Sequence, residues 1–539
     1  MLLTAERCIE TGWVIPPKTA GGQDHLAVRA ISEAMYAELV PGITNVTERV
    51  RCYSFYTWFT WWFSKHSKKK GTEEFVRAFR RAECLHALIG AQHGIDEEGA
   101  DGHPAHGQGL AGRDALIGPL LQLGRGSLRL SRFADPGDRG AERYFGNDLG
   151  GLGQYYLGSL QQLDVMGGNL RHGVRVTDGR GVRVAEAYDS SVDGQLFWET
   201  VHHDLVGTER LRQLSGFCPC GLQHNAAERE VLLDTFLARD EHPNVPALTS
   251  ALRVVLTFLD ANSPTDDARD VVWQFRHAAY GAKLPSGEPW SDPARPTWAS
   301  YQRHELLSVG IQSLLWAVLD ECESAQPKWV PRSSTELAAW FVEKQRQELP
   351  VAWNTMTFAG LVEELRRIMP PVDATDAEAH ECQLAHAALA EDQVPEVTRL
   401  VVTLLASLVA RGLEHTYADF GRDARYFRLY ELNLHALRKG SDSWQDLTVL
   451  DWLMWLVRTW CVGTHLRVAL RKLRDEGLDT FCLRPADHGL VFVQQISPTW
   501  SNPRIAQLLR ALRDLGLVDS HHQLLPDGRD LLGALRGDQ

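Results

Sequence analysis

Residues 41–70 read PGITNVTERVRCYSFYTWFTWWFSKHSKKK, and this stretch constrains the rest of the chain more than any other. Between Tyr53 and Phe63 lie Tyr53, Phe55, Tyr56, Trp58, Phe59, Trp61, Trp62 and Phe63, with no Pro or Gly from 46 to 63. Wound as a helix, these rings cover nearly every side of the cylinder. A helix apolar all round is buried, either in a large protein core or in a membrane. The apolar run is only about a dozen residues, and a membrane span needs about 20. Arg49 and Arg51 stand near its start and Lys65 at its end. The expectation is therefore a core helix, each ring burying roughly 150–250 Å². Rings beside Arg49 and Arg51 can also stack on nucleic-acid bases. Stacking platforms expose a few rings, however, whereas this cylinder is covered with them. Pro41-Gly42 marks a turn, Asn45 is placed to cap the helix, and Glu48 to close a capping box. Lys68, Lys69 and Lys70 complement the far end of the dipole.

A chain of 539 residues has room for roughly three to five domains. Its formal net charge is −13, which excludes a uniformly basic nucleic-acid coat and confines any DNA contact to local patches. The N-terminus becomes charged at Glu6-Arg7, too early for a signal peptide, and no transmembrane run appears. Nine cysteines at uneven spacing fit reduced thiols in a cytoplasmic protein and not a disulfide framework.

The helical spacing divides the chain into four expected segments. Residues 1–110 form a helical domain around the aromatic helix, which is followed by a helix from Thr72 to about Ile89. The region 90–140, rich in Gly, His and Asp, holds a boundary. Residues 140–195 form a small α+β module. A helical centre covers 196–420, with helices expected at 226–239, 246–259, 269–280, 301–323, 335–349, 357–369, 375–390 and 395–411. A C-terminal part at 421–539 opens with helices at 423–437 and 447–473 and ends in a second small module. The fold class is thus mainly α, multidomain, with two small modules.

Those modules share a grammar. In the first, a helix over 152–163 leads to a strand at Val165-Met166, a turn at Gly167-Gly168-Asn169, a return strand over 173–176 and a helix opened by Asp178-Gly179-Arg180. In the second, Asn502-Pro503 opens a helix through Ile505, Leu508, Leu509 and Leu512. Then come Leu517-Val518, a hairpin over 519–525, and Pro526-Asp527-Gly528-Arg529 before a closing helix. Leu157, Leu160, Leu163 and Val165 align with Leu509, Leu512, Leu515 and Leu517. With a three-residue length difference, Asp178-Gly179-Arg180 aligns with Asp527-Gly528-Arg529.

Both segments resemble the winged helix-turn-helix domain, over about 45 residues each, in the Leu-x-x-Leu helix, the two-stranded wing and the Gly-Arg turn into a last helix. The resemblance implies that 503–512 is a recognition helix for the DNA major groove. Arg504, Gln507, Arg510 and Arg513 would meet DNA there, and Arg171 and Arg175 would do so on the first wing. Arg and Gln suit guanine, phosphate and adenine contacts. Winged helices also serve as protein-binding modules. Farther upstream, Arg467, Arg471 and Arg474 form a basic stripe at i, i+4, i+7, either a DNA contact or a solvated face. The motifs at 41–51, Tyr-Ser-Phe-Tyr-x-Trp after them, and Gly-Leu-Gly-Gln-Tyr-Tyr at 151–156 resemble a group of large bacterial cytosolic proteins, some encoded among phage-defence genes.

Cys218-Pro219-Cys220 with His224 has ligand types that suit zinc. A second ligand pair is not evident, so a tight turn with buried thiols is the plainer reading. His203-Asp204 is a lone pair of the kind metal phosphohydrolases use in sets. The run from His380 to His386 departs from the zinc-protease motif, with Leu384 where a His is required, and reads as an exposed helix. Asp266, Asp267 and Asp270 suit a helix start. No phosphate-binding loop appears. The expectation is a DNA-binding subunit or sensor acting on foreign DNA, leaning non-enzymatic, without a cofactor or membrane and with protein partner subunits. The alternatives are a protein–protein adaptor and a metal-dependent hydrolase built on His203, Asp204, Cys218, Cys220 and His224.

Overall fold

A computed structural model describes residues 18–19, 24–68, 71–97, 106, 108–134, 143–169, 173–237, 245–325, 330–412 and 431–537. The protein is mainly helical. Its strands pair only two at a time, as four small sheets among the described residues. None of the described helices is long and apolar enough to cross a membrane. The contacts gather the chain into two compact units. Unit 1 holds the described residues up to Met35 with Arg276–Lys283 and Pro289–Ser501. Unit 2 holds Tyr36–Phe275, Leu284–Glu288 and the described residues from Asn502 onward.

Unit 2 is built on the aromatic helix, Arg51–His66, buried from Arg51 through Thr60 and again at Trp62 and Phe63. Phe55 stacks on His86 at 3.9 Å between ring centroids, and Trp58 meets Phe217 edge-on at 5.2 Å. The core reading of this helix holds, and its expected cap does not. The helix begins at Arg51, five residues after Val46. Asn45 donates its amide to the Tyr36 hydroxyl at 3.0 Å, and Glu48 pairs with Arg510. The Asp514 carboxylate instead accepts from Val50 N at 3.0 Å and Arg49 Nε at 3.1 Å. A carboxylate at a helix N-terminus is favoured by the free N–H groups and the dipole. Here it arrives from 464 residues away, which no local capping pattern can reveal.

Two arginines inside unit 2 are fully enclosed. Arg51, 2% exposed, forms an ion pair with Glu228, 1% exposed, at 3.1 Å. It also donates to the carbonyls of Gly216 at 2.7 Å and Cys218 at 2.5 Å and to Ser191 Oγ at 3.1 Å. Arg80 donates to the carbonyls of Ala134, Phe145 and Asn147. A buried cation is tolerable only when its charge and its N–H groups find partners; Arg51 has a carboxylate as well as carbonyls, and Arg80 has three carbonyls.

The repeat seen in the sequence has a backbone counterpart. Val165 N donates to Leu160 O at 2.8 Å, and Leu517 N to Leu512 O at 2.9 Å. Thr177 N then returns to Val165 O at 3.1 Å, and Leu525 N to Leu517 O at 3.0 Å. A Cβ on Gly181 or on Gly528 would lie 2.2 Å from those same carbonyls, Val165 O and Leu517 O. The close approach places Gly181, not Gly179, opposite Gly528, so the second half of the expected alignment shifts by two. The first strand pair is Met166–Asn169 with Gly173–Val176, so Gly167-Gly168-Asn169 is strand and not turn. The second reduces to one bridge, Val518 with Leu524.

Unit 1 has Arg295–Glu323 as its longest helix, packed with Val394–Ala410. Gly310 lets the helices close: a Cβ there would meet Leu404 and Leu405 at 3.3 Å. The expected start at 301 is six residues late, because Pro296 occupies the first helical turn, where its missing N–H costs nothing. Across both units the other central helices lie close to expectation, at Ala226–Leu237, Val245–Ala261, Ala268–Gly281, Ser334–Gln345 and Phe358–Ile368, whereas the one expected at 375–390 starts six residues later, at Glu381. Much of the expected helix at 423–437 falls outside the described residues, which resume at 431, and the next described helix is Leu434–Trp444. The expected exposed helix after His380 is corrected. His380 and Glu381 are both fully buried; His380 Nδ1 accepts from Cys382 N at 3.1 Å, and Glu381 pairs with Arg411 at 2.7 Å.

Candidate functional site

The helix that opens at Thr72 runs to Asp96, two turns beyond the expected end at Ile89. Those turns carry His93 to a tight turn made of two 3₁₀ segments, Ser215–Phe217 and Pro219–His224, with Cys218 between them. His106 joins from the segment that follows the helix. The result is a four-residue cluster in unit 2 of His93, His106, Cys218 and Cys220, whose ligand atoms lie within 4.8 Å of one another. Cys220 Sγ is 3.4 Å from His93 Nδ1, and Cys218 Sγ is 3.6 Å from His106 Nδ1. The imidazole rings meet edge-on at 4.5 Å.

One carboxylate orients both rings. Glu97 Oε1 lies 2.9 Å from His93 Nε2, and Oε2 lies 3.0 Å from His106 Nε2. Protons on the two Nε2 atoms leave both Nδ1 lone pairs facing the thiols. The thiols themselves are split. A hydrogen bond from Cys218, with further help from His106 and His93, draws the Cys220 thiol below the usual thiol range against its burial. The same hydrogen bond, then burial, pushes Cys218 up. Cys218 is buried and Cys220 half-buried, beside an open cleft of about 560 Å³ that Gln223 and His224 also line.

The sequence singled out both cysteines of this cluster and neither of its histidines. His224 is exposed and stands outside the cluster. The missed partners had one readable signal: His93 and Glu97 stand four apart and so share a helix face. His106 had none, because it lies in a Gly-rich stretch without periodicity. The hydrolase set is not brought together either. Asp204 ends the helix Gly194–His203 in the left-handed region at φ 66°, and its carboxylate accepts from Ser131 N and Ser131 Oγ, both at 2.6 Å. That carboxylate also faces Arg81 at 3.6 Å, while His203 points to solvent.

The residues expected to meet DNA fall into two groups. Those of the second module are buried or half-buried within unit 2, on and just before a helix that spans Ile505–Asp514 and not 503–512. Arg504 precedes it at φ 61°, donates to Val40 O at 3.2 Å and lies over the Tyr36 ring at 4.8 Å. Gln507, 4% exposed, donates to Asn45 O at 2.8 Å, so its carboxamide is not offered to a base edge in this fold. Arg510 pairs with Glu48, and burial draws the Arg513 guanidinium down. The other group faces solvent. Arg175 is exposed on its strand, opposite Gly167. Arg467 and Arg471 are exposed on the unit 1 helix Thr464–Glu476, with Arg467 also held by Glu431. Arg171 lies outside the described residues.

A second histidine–cysteine cluster, His25, His465 and Cys482, lies in unit 1. His465 Nε2 accepts from Cys482 N at 3.0 Å and Leu483 N at 3.3 Å. His25 Nδ1 faces Thr480 O at 3.1 Å and Cys482 Sγ at 3.4 Å. Comparison with family models, with curated proteins and with solved structures found no match for this chain.

Proposed function

We propose that this protein is a helical scaffold that engages double-stranded DNA through an arginine face of unit 1. One observation carries the reading. Arg467, Arg471 and Arg474 stand exposed along the helix Thr464–Glu476, while Val468 and Ala469 are buried on its other side. Exposed Arg438 and Lys439 on the helix Leu434–Trp444 add to the positive charge of the same unit. In a chain of net charge −13 such a local excess runs against the whole. Arg467 and Arg474 are paired with Glu431 and Asp475, but exposed ion pairs are worth only about 0–1 kcal/mol and yield to a phosphate. The test is duplex-DNA binding by fluorescence anisotropy over a salt series, for the native chain and for Arg467→Ala/Arg471→Ala. The logarithmic salt slope is about −0.9 per phosphate contact, so two lost contacts flatten it by about 2. Native protein that fails to bind at low salt overturns the reading.

A specific observation favours an adaptor as the second reading. The polar face of the helix Ile505–Asp514 is already engaged with protein, at Val40, Asn45 and Glu48 of its own unit. On this reading the second module recognises polypeptide, and the same titration shows no salt-sensitive DNA binding.

A further inference from the structure

We infer that His93, His106, Cys218 and Cys220 form a closed tetrahedral site for one zinc ion. The inference stands apart from the DNA reading and revises the expectation that no cofactor is present.

The distances between the donor atoms are those of a four-ligand zinc site. Zinc binds thiolate at about 2.3 Å and imidazole at about 2.0–2.1 Å. Tetrahedral angles then place a sulfur and a nitrogen ligand about 3.5 Å apart. The two Sγ–Nδ1 separations are 3.4 and 3.6 Å. All four ligand atoms lie within 4.8 Å of one another, so small side-chain shifts bring each to bonding distance of one centre.

Orientation argues the same way. Metal-bound histidines ordinarily donate their remote N–H to a carboxylate, which fixes the tautomer and raises ligand basicity. Glu97 does this for both rings at once. Two thiolates neutralise a divalent ion, which suits the burial of Cys218 and His106. Two sulfur and two nitrogen donors in this geometry select zinc among abundant divalent ions. With all four positions taken by protein, the site is of the structural kind, without an open position for substrate.

The fold shows what the ion would hold. Cys218 offers its thiol to the site and its carbonyl to the buried Arg51 at 2.5 Å. Gly221 packs so close that a Cβ there would meet Arg51 Nη1 at 2.1 Å. Zinc would therefore tie the turn that encloses Arg51 to the end of the helix Thr72–Asp96.

The test uses the full chain purified without chelator. Elemental analysis should find close to one zinc per chain. X-ray absorption at the zinc edge should show two sulfur neighbours at about 2.3 Å and two nitrogen neighbours at about 2.0–2.1 Å. Cobalt(II) exchanged into the site should give thiolate charge-transfer absorption in the near ultraviolet, lost in Cys218→Ser/Cys220→Ser. Should that variant fail to fold, the native absorption spectrum decides without it. Cys482→Ser, in the other cluster, should retain the metal. A native chain with no stoichiometric zinc that also takes up no cobalt with thiolate absorption overturns the inference, as does a first shell of oxygen and nitrogen alone.

Discussion

The two histidine–cysteine clusters are alike in composition and differ in where their lone pairs point. In unit 2 a carboxylate takes the remote N–H of both imidazoles, so the near nitrogens of His93 and His106 face two thiols. In unit 1 two backbone amides occupy His465 Nε2. That nitrogen must accept, which puts the ring proton on the other one, and neither nitrogen then has a lone pair for a metal. His25 Nδ1 likewise faces a carbonyl, that of Thr480. Residue types and proximity are therefore a weak guide to a metal site. The hydrogen-bond partner on the far side of each ring decides, because it fixes the tautomer before any ion arrives.

The clusters are also braced differently, and the largest expected effect tests that. The unit 2 turn encloses the buried Arg51–Glu228 pair. Glu228→Gln leaves Arg51 uncompensated, and removing one partner of a buried pair costs about 3–5 kcal/mol. Hydrogen exchange of the amides of Arg51–His66 should accelerate accordingly. Unchanged protection would mean that the turn does not depend on this charge.

A smaller effect is expected in unit 1. His465→Ala strands the amides of Cys482 and Leu483, and a buried unsatisfied group costs about 1–3 kcal/mol. Chemical denaturation should register the loss while zinc content stays as in the native chain. A fall in zinc without a fall in stability would reverse the comparison between the clusters. Next comes Glu97→Gln. Loss of such an outer partner typically weakens metal binding 10–100-fold, read by competition with a chromophoric chelator, and an unaltered affinity would remove the carboxylate from the account.

Acid gives the most gradual effect. Burial first, then the Arg51 charge, hold His86 down to about 3, and burial chiefly holds His465 down to about 4. Unfolded histidine takes its proton near 6.5. Between that pH and the folded value the unfolded chain binds more protons, so stability falls as pH falls, by at most about 1.4 kcal/mol per pH unit for each group. For His86 the window runs from about 6.5 down to about 3, and for His465 from about 6.5 to about 4. Denaturation at pH 7, 6 and 5 should show this slope, and His86→Gln should lack its share of it. An equal slope in that variant would show that His86 titrates normally.

The reading of residues 502–512 shows how far a helical pattern carries. Ile505, Leu508, Leu509 and Leu512 identified the buried side of that helix, and all four are buried. The pattern could not say that the opposite side was also in contact. Arg504, Gln507 and Arg510 have residue types that suit DNA, and the fold spends them on Tyr36, Val40, Asn45 and Glu48. His380 and Glu381 teach the same lesson in unit 1: charged types at a helix start read as surface, yet Tyr280 and Arg411 meet them inside.

The sequence by itself determined the helical class, the aromatic core helix, the course of the central helices and the repeated helix–hairpin–helix grammar. Each is set by local periodicity or by punctuation from Pro and Gly, and these act within a few residues. Only the tertiary structure decided which polar side chains meet. Asp514 reaches the residues that cap the aromatic helix, Glu228 reaches Arg51, and Cys218 and Cys220 find His93 and His106 more than a hundred positions away. Such pairings follow from how helices pack, and packing depends on the apolar faces of several segments at once. The candidate metal centre belongs to that second kind. Its cysteines were legible as a pair, and His93 came within reach of them only because a helix ran two turns farther than its pattern announced.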